Sequence, residues 1–109
     1  MNTNKYILKD VNTTGPGDYY QVTRPGKTFQ LIGSTTSGTG AAVVVVQVTN
    51  DPKKSVWIDV GTITLTLGTS QTTDGFAMHA QWDFVRGNVS SISGAGAILS
   101  LLMSNEREN

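Results

Sequence analysis

Thr62-Ile63-Thr64-Leu65-Thr66-Leu67-Gly68 alternates threonine and aliphatic side chains without exception. Successive side chains of a strand point to opposite faces, so period two sends Ile63, Leu65 and Leu67 to a core and a threonine row to solvent. Upstream, Val56-Trp57-Ile58-Asp59-Val60 alternates as well, and Gly61 between the two stretches marks a bend or bulge. Asn50-Asp51-Pro52-Lys53-Lys54 supplies the preceding turn, because Asn and Asp bond locally to the backbone and proline cannot join a central ladder. Downstream, the Thr- and Ser-rich run from Gly68 to Asp74-Gly75 reads as the longest polar loop. From Trp82 to Ile92, Val85, Gly87 and Val89 face one way and Phe84, Arg86 and Asn88 the other, so one of these faces is not plain core.

A short unit occurs twice. Ser37-Gly38-Thr39-Gly40-Ala41 returns as Ser93-Gly94-Ala95-Gly96-Ala97, each copy closing an Ile- and Phe-bearing run and opening a dense apolar one. The glycine pairs supply the positive backbone angles of tight hairpin connections. Residues 95–103 also fit helical spacing at Ile98, Leu101 and Leu102. The matching turn ahead of the β-branched run Val43-Val44-Val45-Val46 argues for strand in both copies. The expectation is a single antiparallel β-sandwich of about seven or eight strands with Greek-key-like connections. Phe29, Leu31, Val44, Val46, Ile63, Leu65, Val85, Val89 and Leu99 form its expected core.

Residues 1–26 differ in composition: Asn, Thr and Asp, with turn points at Gly15-Pro16-Gly17 and Pro25-Gly26, interrupt the apolar pairs Tyr6-Ile7 and Tyr19-Tyr20. They read as an N-terminal arm, either folded on the body as a first edge strand or extended onto a neighbouring subunit. The sandwich domain is expected over 27–104 and a solvated tail over 105–109. Nothing near Met1 has the apolar run of a signal peptide, and no stretch approaches a membrane span, so synthesis in the cytosol is expected.

One modest core is what 109 residues can build. Eight basic and eight acidic residues cancel, which removes the electrostatic case for nucleic acid or an anionic membrane as partner. Neutrality also weakens self-repulsion, which suits a chain that associates with its own copies or with a large assembly. The absence of cysteine excludes disulfides and thiolate metal sites.

The reactive residue types are scattered, and no enzyme, cofactor or metal site is expected. His79, the one histidine, cannot join a multi-histidine site and reads as a loop or rim residue beside Met78 and Ala80. Asp51, Asp59, Asp74 and Asp83 fall in separate segments, and neither Asn50-Asp51 nor Asp74-Gly75 has the spacing of a calcium loop. Gly38-Thr39-Gly40 and Gly94-Ala95-Gly96 lack both the third glycine and the helix of a dinucleotide loop. Trp57, Trp82, Phe76, Phe84 and Tyr19-Tyr20 could form an aromatic platform for sugar rings, although core and interface roles are commoner for such residues. Arg86, alone in an uncharged run, reads as a planar anchor for a carbonyl or carboxylate, with Asp83 or Asp59 as partner. Trp57, Trp82 and Arg86 are thus structural anchors, and Tyr6, Ile7, Tyr19, Tyr20, Val43 and Val45 are candidate interface residues, the valines because their run is apolar on both faces.

Trp82-Asp83-Phe84-Val85-Arg86-Gly87-Asn88-Val89, followed by Ser93-Gly94-Ala95-Gly96-Ala97 and preceded by Gly61 to Leu67 and Asp74-Gly75-Phe76, resembles a group of small virion proteins of tailed bacteriophages over about residues 29–103. The resemblance implies a structural role, foremost a head decoration or cement protein on the capsid surface. Its partners would be a shell of HK97-type major capsid subunits and its own copies, as a homotrimer, with no small-molecule substrate. A tail or head-tail connector component is the alternative within the virion, and a β-sandwich carbohydrate-binding module the alternative outside it.

Overall fold

Nine strands and no helix make up the described residues, 2–22 and 25–106, of the computed structural model. They are β1 (Asn2–Val11), β2 (Gly15–Pro16), β3 (Tyr20–Gln21), β4 (Gly26–Ser34), β5 (Ser37–Thr49), β6 (Ile58–Leu67), β7 (Thr72–His79), β8 (Phe84–Ala95) and β9 (Ile98–Glu106). One sheet runs β1-β9-β4-β7; the other runs β2-β8-β5-β6, with β3 also on β8, and all pairings are antiparallel. Taking β2 and β3 as one interrupted strand, the pairs nest: β1 with β9, β2–β3 with β8, β4 with β7 and β5 with β6. Rolling such a nested ribbon brings β9 against β4 and β8 against β5, which is the jelly-roll form of the Greek-key sandwich.

Alternation built the interior as expected. All nine residues of the expected core are buried between the sheets, joined by Ile7, Leu8, Val22, Ala42, Val48, Leu67, Ala97, Leu101 and Met103. Residues 98–106 form strand β9, where Leu99, Leu101 and Met103 alternate inward. Of the two readings of residues 1–26, the edge strand is the one found. β1 pairs with β9 along its length, Ile7 and Leu8 enter the core, and Val22 joins them after its N–H bonds the Asp83 carbonyl (3.0 Å). Gly17 seats the β2–β3 segment by donating to the Gly87 carbonyl (2.8 Å); a Cβ there would meet Leu8 at 2.4 Å. Of the expected tail, 105 and 106 belong to β9, and 107–109 lie outside the described residues.

Three expectations need correction. The repeated Ser-Gly-x-Gly-Ala units are not hairpin turns: the first opens β5 just after residues 35–36 have carried the chain over from β4 in the other sheet, and the second ends β8 and leads the chain across to β9. Gly38, Gly94 and Gly96 do take positive φ, whereas Gly40 is required by closeness, since a Cβ there would meet the Ser93 carbonyl oxygen at 2.1 Å. The two copies face one another across the β5–β8 pair, with Ser37 opposite Ala95 and Ala41 opposite Ser93. Second, the run Gly68–Gly75 is only half loop, because Thr72 to Gly75 begin β7. Third, the valine run, whose two apolar faces suggest an uncovered edge that a partner must cover, is interior: β5 is flanked by β8 and β6.

Candidate functional site

The outward face of the β2-β8-β5-β6 sheet carries the densest grouping of aromatic and planar polar side chains. Cross-strand register puts Arg86 of β8, Gln47 of β5 and Asp59 of β6 in one row. Arg86 Nε donates to Gln47 Oε1 (2.8 Å), and Gln47 Nε2 donates to Asp59 Oδ1 (2.8 Å). The Asp59 register depends on a shift between Val46 and Gln47, where Val60 is the extra residue and Gly61 faces Val46. Gly61 is fixed from the other side by Phe76, whose ring a Cβ would meet at 2.3 Å.

Above this row the guanidinium of Arg86 stacks on the Trp57 ring, with Cζ 4.3 Å from its centroid. The indole N–H donates to the Lys54 carbonyl (3.0 Å), so the loop between β5 and β6 fixes the ring's edge. That loop is organised by Asp51, whose carboxylate accepts the Ser55 hydroxyl (2.7 Å), the Ser55 N–H (2.9 Å) and the Lys53 N–H (3.0 Å). These bonds, the Ser55 hydroxyl first, lower its pKa from 3.8 to about 2. Partial burial lowers the pKa of Arg86, which stays charged at any ordinary pH. Asn50 ties the loop to the start of β8 by accepting the Asp83 N–H (2.9 Å).

Beside Arg86 on β8, Phe84 meets Tyr19 edge to face at 5.7 Å, and Lys54 Nζ sits 4.6 Å from the Phe84 ring and 4.8 Å from that of Tyr19. Beyond the polar row, register sets Asn88, Val45 and Thr62 side by side, then Ser91, Val43 and Thr64, then Ser93, Ala41 and Thr66. From Gln47 to Ala41 this strip runs about 20 Å at roughly 3.4 Å per residue. It is an open surface with an apolar floor of half-buried valines between amide and hydroxyl side chains.

The sequence-based candidates separate accordingly. Trp57, Arg86, Tyr19, Val43 and Val45 come together on this face. Ile7 does not: at 2% exposure it is a core residue, because alternation turns it opposite to the exposed Tyr6. Tyr6 and Tyr20 line a separate cleft between β1 and the β2–β3 segment, with Lys9 Nζ 5.4 Å from the Tyr6 ring and Lys5 Nζ 4.4 Å from that of Tyr20. Trp82 is half-buried against the core just before β8. Arg86 bonds neither expected aspartate directly; Gln47 stands between it and Asp59. Gln47 had a signal in the sequence, as the single polar residue inside the run Val43 to Val48. His79 lies on β7 of the opposite sheet, and among the described residues no three His, Cys, Asp or Glu side chains are grouped to hold a metal ion.

No protein-family model matches the chain, and no curated protein matches it. Among solved structures, a CBM4 structure is 14% identical with a TM-score of 0.49, over 94% of this chain and 66% of that one. The N-terminal cellulose-binding domain of Cellulomonas fimi β-1,4-glucanase C is 8% identical with a TM-score of 0.47, over 99% and 80% of the two chains. RmlC from Streptococcus suis, in complex with dTDP-D-xylose, is 11% identical with a TM-score of 0.27, over 100% of this chain and 45% of that one.

Proposed function

We propose that this chain is a non-catalytic carbohydrate-binding module whose ligand, an extended glycan, lies along the outward face of the β2-β8-β5-β6 sheet. The observation that carries the reading is the tied row Arg86–Gln47–Asp59 under the indole of Trp57. A pyranose ring has an apolar face and a rim of hydroxyls, so it asks for an aromatic or aliphatic floor next to planar groups that donate and accept in fixed directions. Arg86 and Gln47 are held by each other, which lowers the entropy lost on ordering them around a ligand. Among the described residues no acceptor bonds the two terminal amino groups of Arg86, which leaves four N–H donors for hydroxyls. The strip beyond, valines flanked by Asn88, Thr62, Ser91 and Thr64, continues the same chemistry along the sheet. An open strip admits a polymer from either end, and it places no nucleophile beside a base.

Affinity electrophoresis through gels containing soluble β-glucans, xylans, mannans or acidic polysaccharides tests the reading. At least one polymer should retard the wild-type protein and not the Trp57→Ala variant. Equal mobility of the wild type in every gel would reject it.

A second reading, a structural virion protein seated on a capsid shell, is favoured by one observation. Val56 and Ile58, which flank Trp57 in the chain, are aliphatic side chains at 68% and 52% exposure, which suits contact with a protein surface better than with a sugar. Purified particles that contain this chain, with decoration abolished by Val56→Ser and Ile58→Ser together, would favour that reading over the first.

A further inference from the structure

A sandwich of two open sheets has four edges, and unpaired edge strands invite pairing with other chains unless something blunts them. Three of the four are blunted here. β1 carries Lys5 and Lys9, two register irregularities and Asp10 at φ 52°. The β2–β3 edge is broken into two-residue pieces and includes Pro16. β7 carries Asp74, whose carboxylate takes the N–H of Gly75 on that edge (2.8 Å). β6 is different: from Thr62 to Leu67 it has no charge, no proline, no glycine and no register shift.

We propose that β6 is a self-pairing edge, through which two copies of this chain join antiparallel into one continuous sheet. In an antiparallel strand every second residue aims both backbone groups away from its partner. The Thr66 carbonyl accepts the hydroxyl of Thr72 (2.9 Å), which marks Thr62, Thr64 and Thr66 as the outward set and fills one of its acceptors. The groups left are those of Thr62 and Thr64, and a twofold axis through Ile63 uses both. Thr62 then faces Thr64 of the second copy, and the reverse, giving four backbone hydrogen bonds and two threonine pairs on the outward face. Cross-strand threonine pairs are favourable and no like charges meet. A net charge of zero adds no long-range repulsion between copies. Because the strand's own alternation is symmetric about Ile63, a second copy is the occupant it fits best. The axis stands normal to the sheet, so both Trp57 platforms face the same side. The seam does not depend on what those platforms bind.

Sedimentation equilibrium of three proteins tests this. Wild type should show a monomer–dimer equilibrium below about 1 mM, the affinity scale of a few kcal/mol. Thr62→Lys with Thr64→Lys, which sets like charges opposite each other twice, should weaken dimerisation at least tenfold. Thr62→Lys with Thr64→Glu, which sets opposite charges opposite each other in this register alone, should restore it. Both variants alter exposed side chains, and their melting temperatures report whether they fold. A wild type monomeric up to about 1 mM overturns the proposal and leaves the edge to a strand of another protein. A dimer indifferent to the double-lysine variant, or a lysine–glutamate variant that stays monomeric, overturns the seam or its register.

Discussion

Trp57 is held by three neighbours: Arg86 on its face, the Lys54 carbonyl on its N–H, and the Asp51-capped turn that sets that carbonyl. Replacing it by alanine should cost about 2 kcal/mol of glycan affinity, roughly thirtyfold by titration calorimetry, with the melting temperature little changed. Asp51 gives the site an acid limit. Its folded pKa, about 2, lies below the unfolded 3.8, so its stabilisation is complete above pH 3.8 and disappears as pH falls toward 2. Binding should therefore be flat from neutrality to about pH 5 and fall below pH 4, measured by Trp57 fluorescence with and without glycan. Asp51→Asn should remove that acid step and loosen the loop at neutral pH; an unchanged acid profile in the variant would show that another group controls it. Arg86 was visible in the sequence as the one charge in an otherwise uncharged run. Its partner was not, because alternation gives a face but not which residue stands across the ladder, and a shift of one residue at Val60 selected Asp59.

The two glycine-rich corners show why strands are easier to read than their partners. Turn chemistry at Ser37–Ala41 and Ser93–Ala97 demands reversal and positive φ, and a hairpin and a sheet-to-sheet corner demand it alike. Which one forms depends on strands far away in sequence, since β4 finds β7 and β9 rather than β5. Gly40→Ala should destabilise by about 1–3 kcal/mol, because its Cβ would meet backbone rather than a movable side chain. Gly68→Ala, with nothing within 4 Å of the added carbon, should stay within about 0.5 kcal/mol. Chemical denaturation of both variants decides: equal midpoints would mean that the β5–β8 corner yields and the close approach is not rigid.

The nested pairing closes the ribbon by setting β1 on β9, so the first ten described residues complete the sheet that the last ones enter. The composition of 1–26 concealed this, since the described polar side chains from Asn4 to Gln21 are exposed and only Ile7, Leu8 and Val22 enter the core. Removing residues 2–11 should abolish cooperative folding, with near-ultraviolet circular dichroism lost; a truncated protein that melts sharply would return the segment to an arm. The same roll leaves the face bearing Trp57, Arg86, Gln47 and Val45 free of chain crossings, and that open face is the basis of the functional reading. The direct test is a heteronuclear NMR titration of the labelled protein with oligosaccharides of whichever polymer retards it. Shifts should concentrate on the Trp57 indole N–H, the Arg86 and Gln47 side chains and the backbone from Val43 to Gln47. Shifts confined to the Tyr6–Tyr20 cleft or to the β1-β9-β4-β7 sheet would contradict the account.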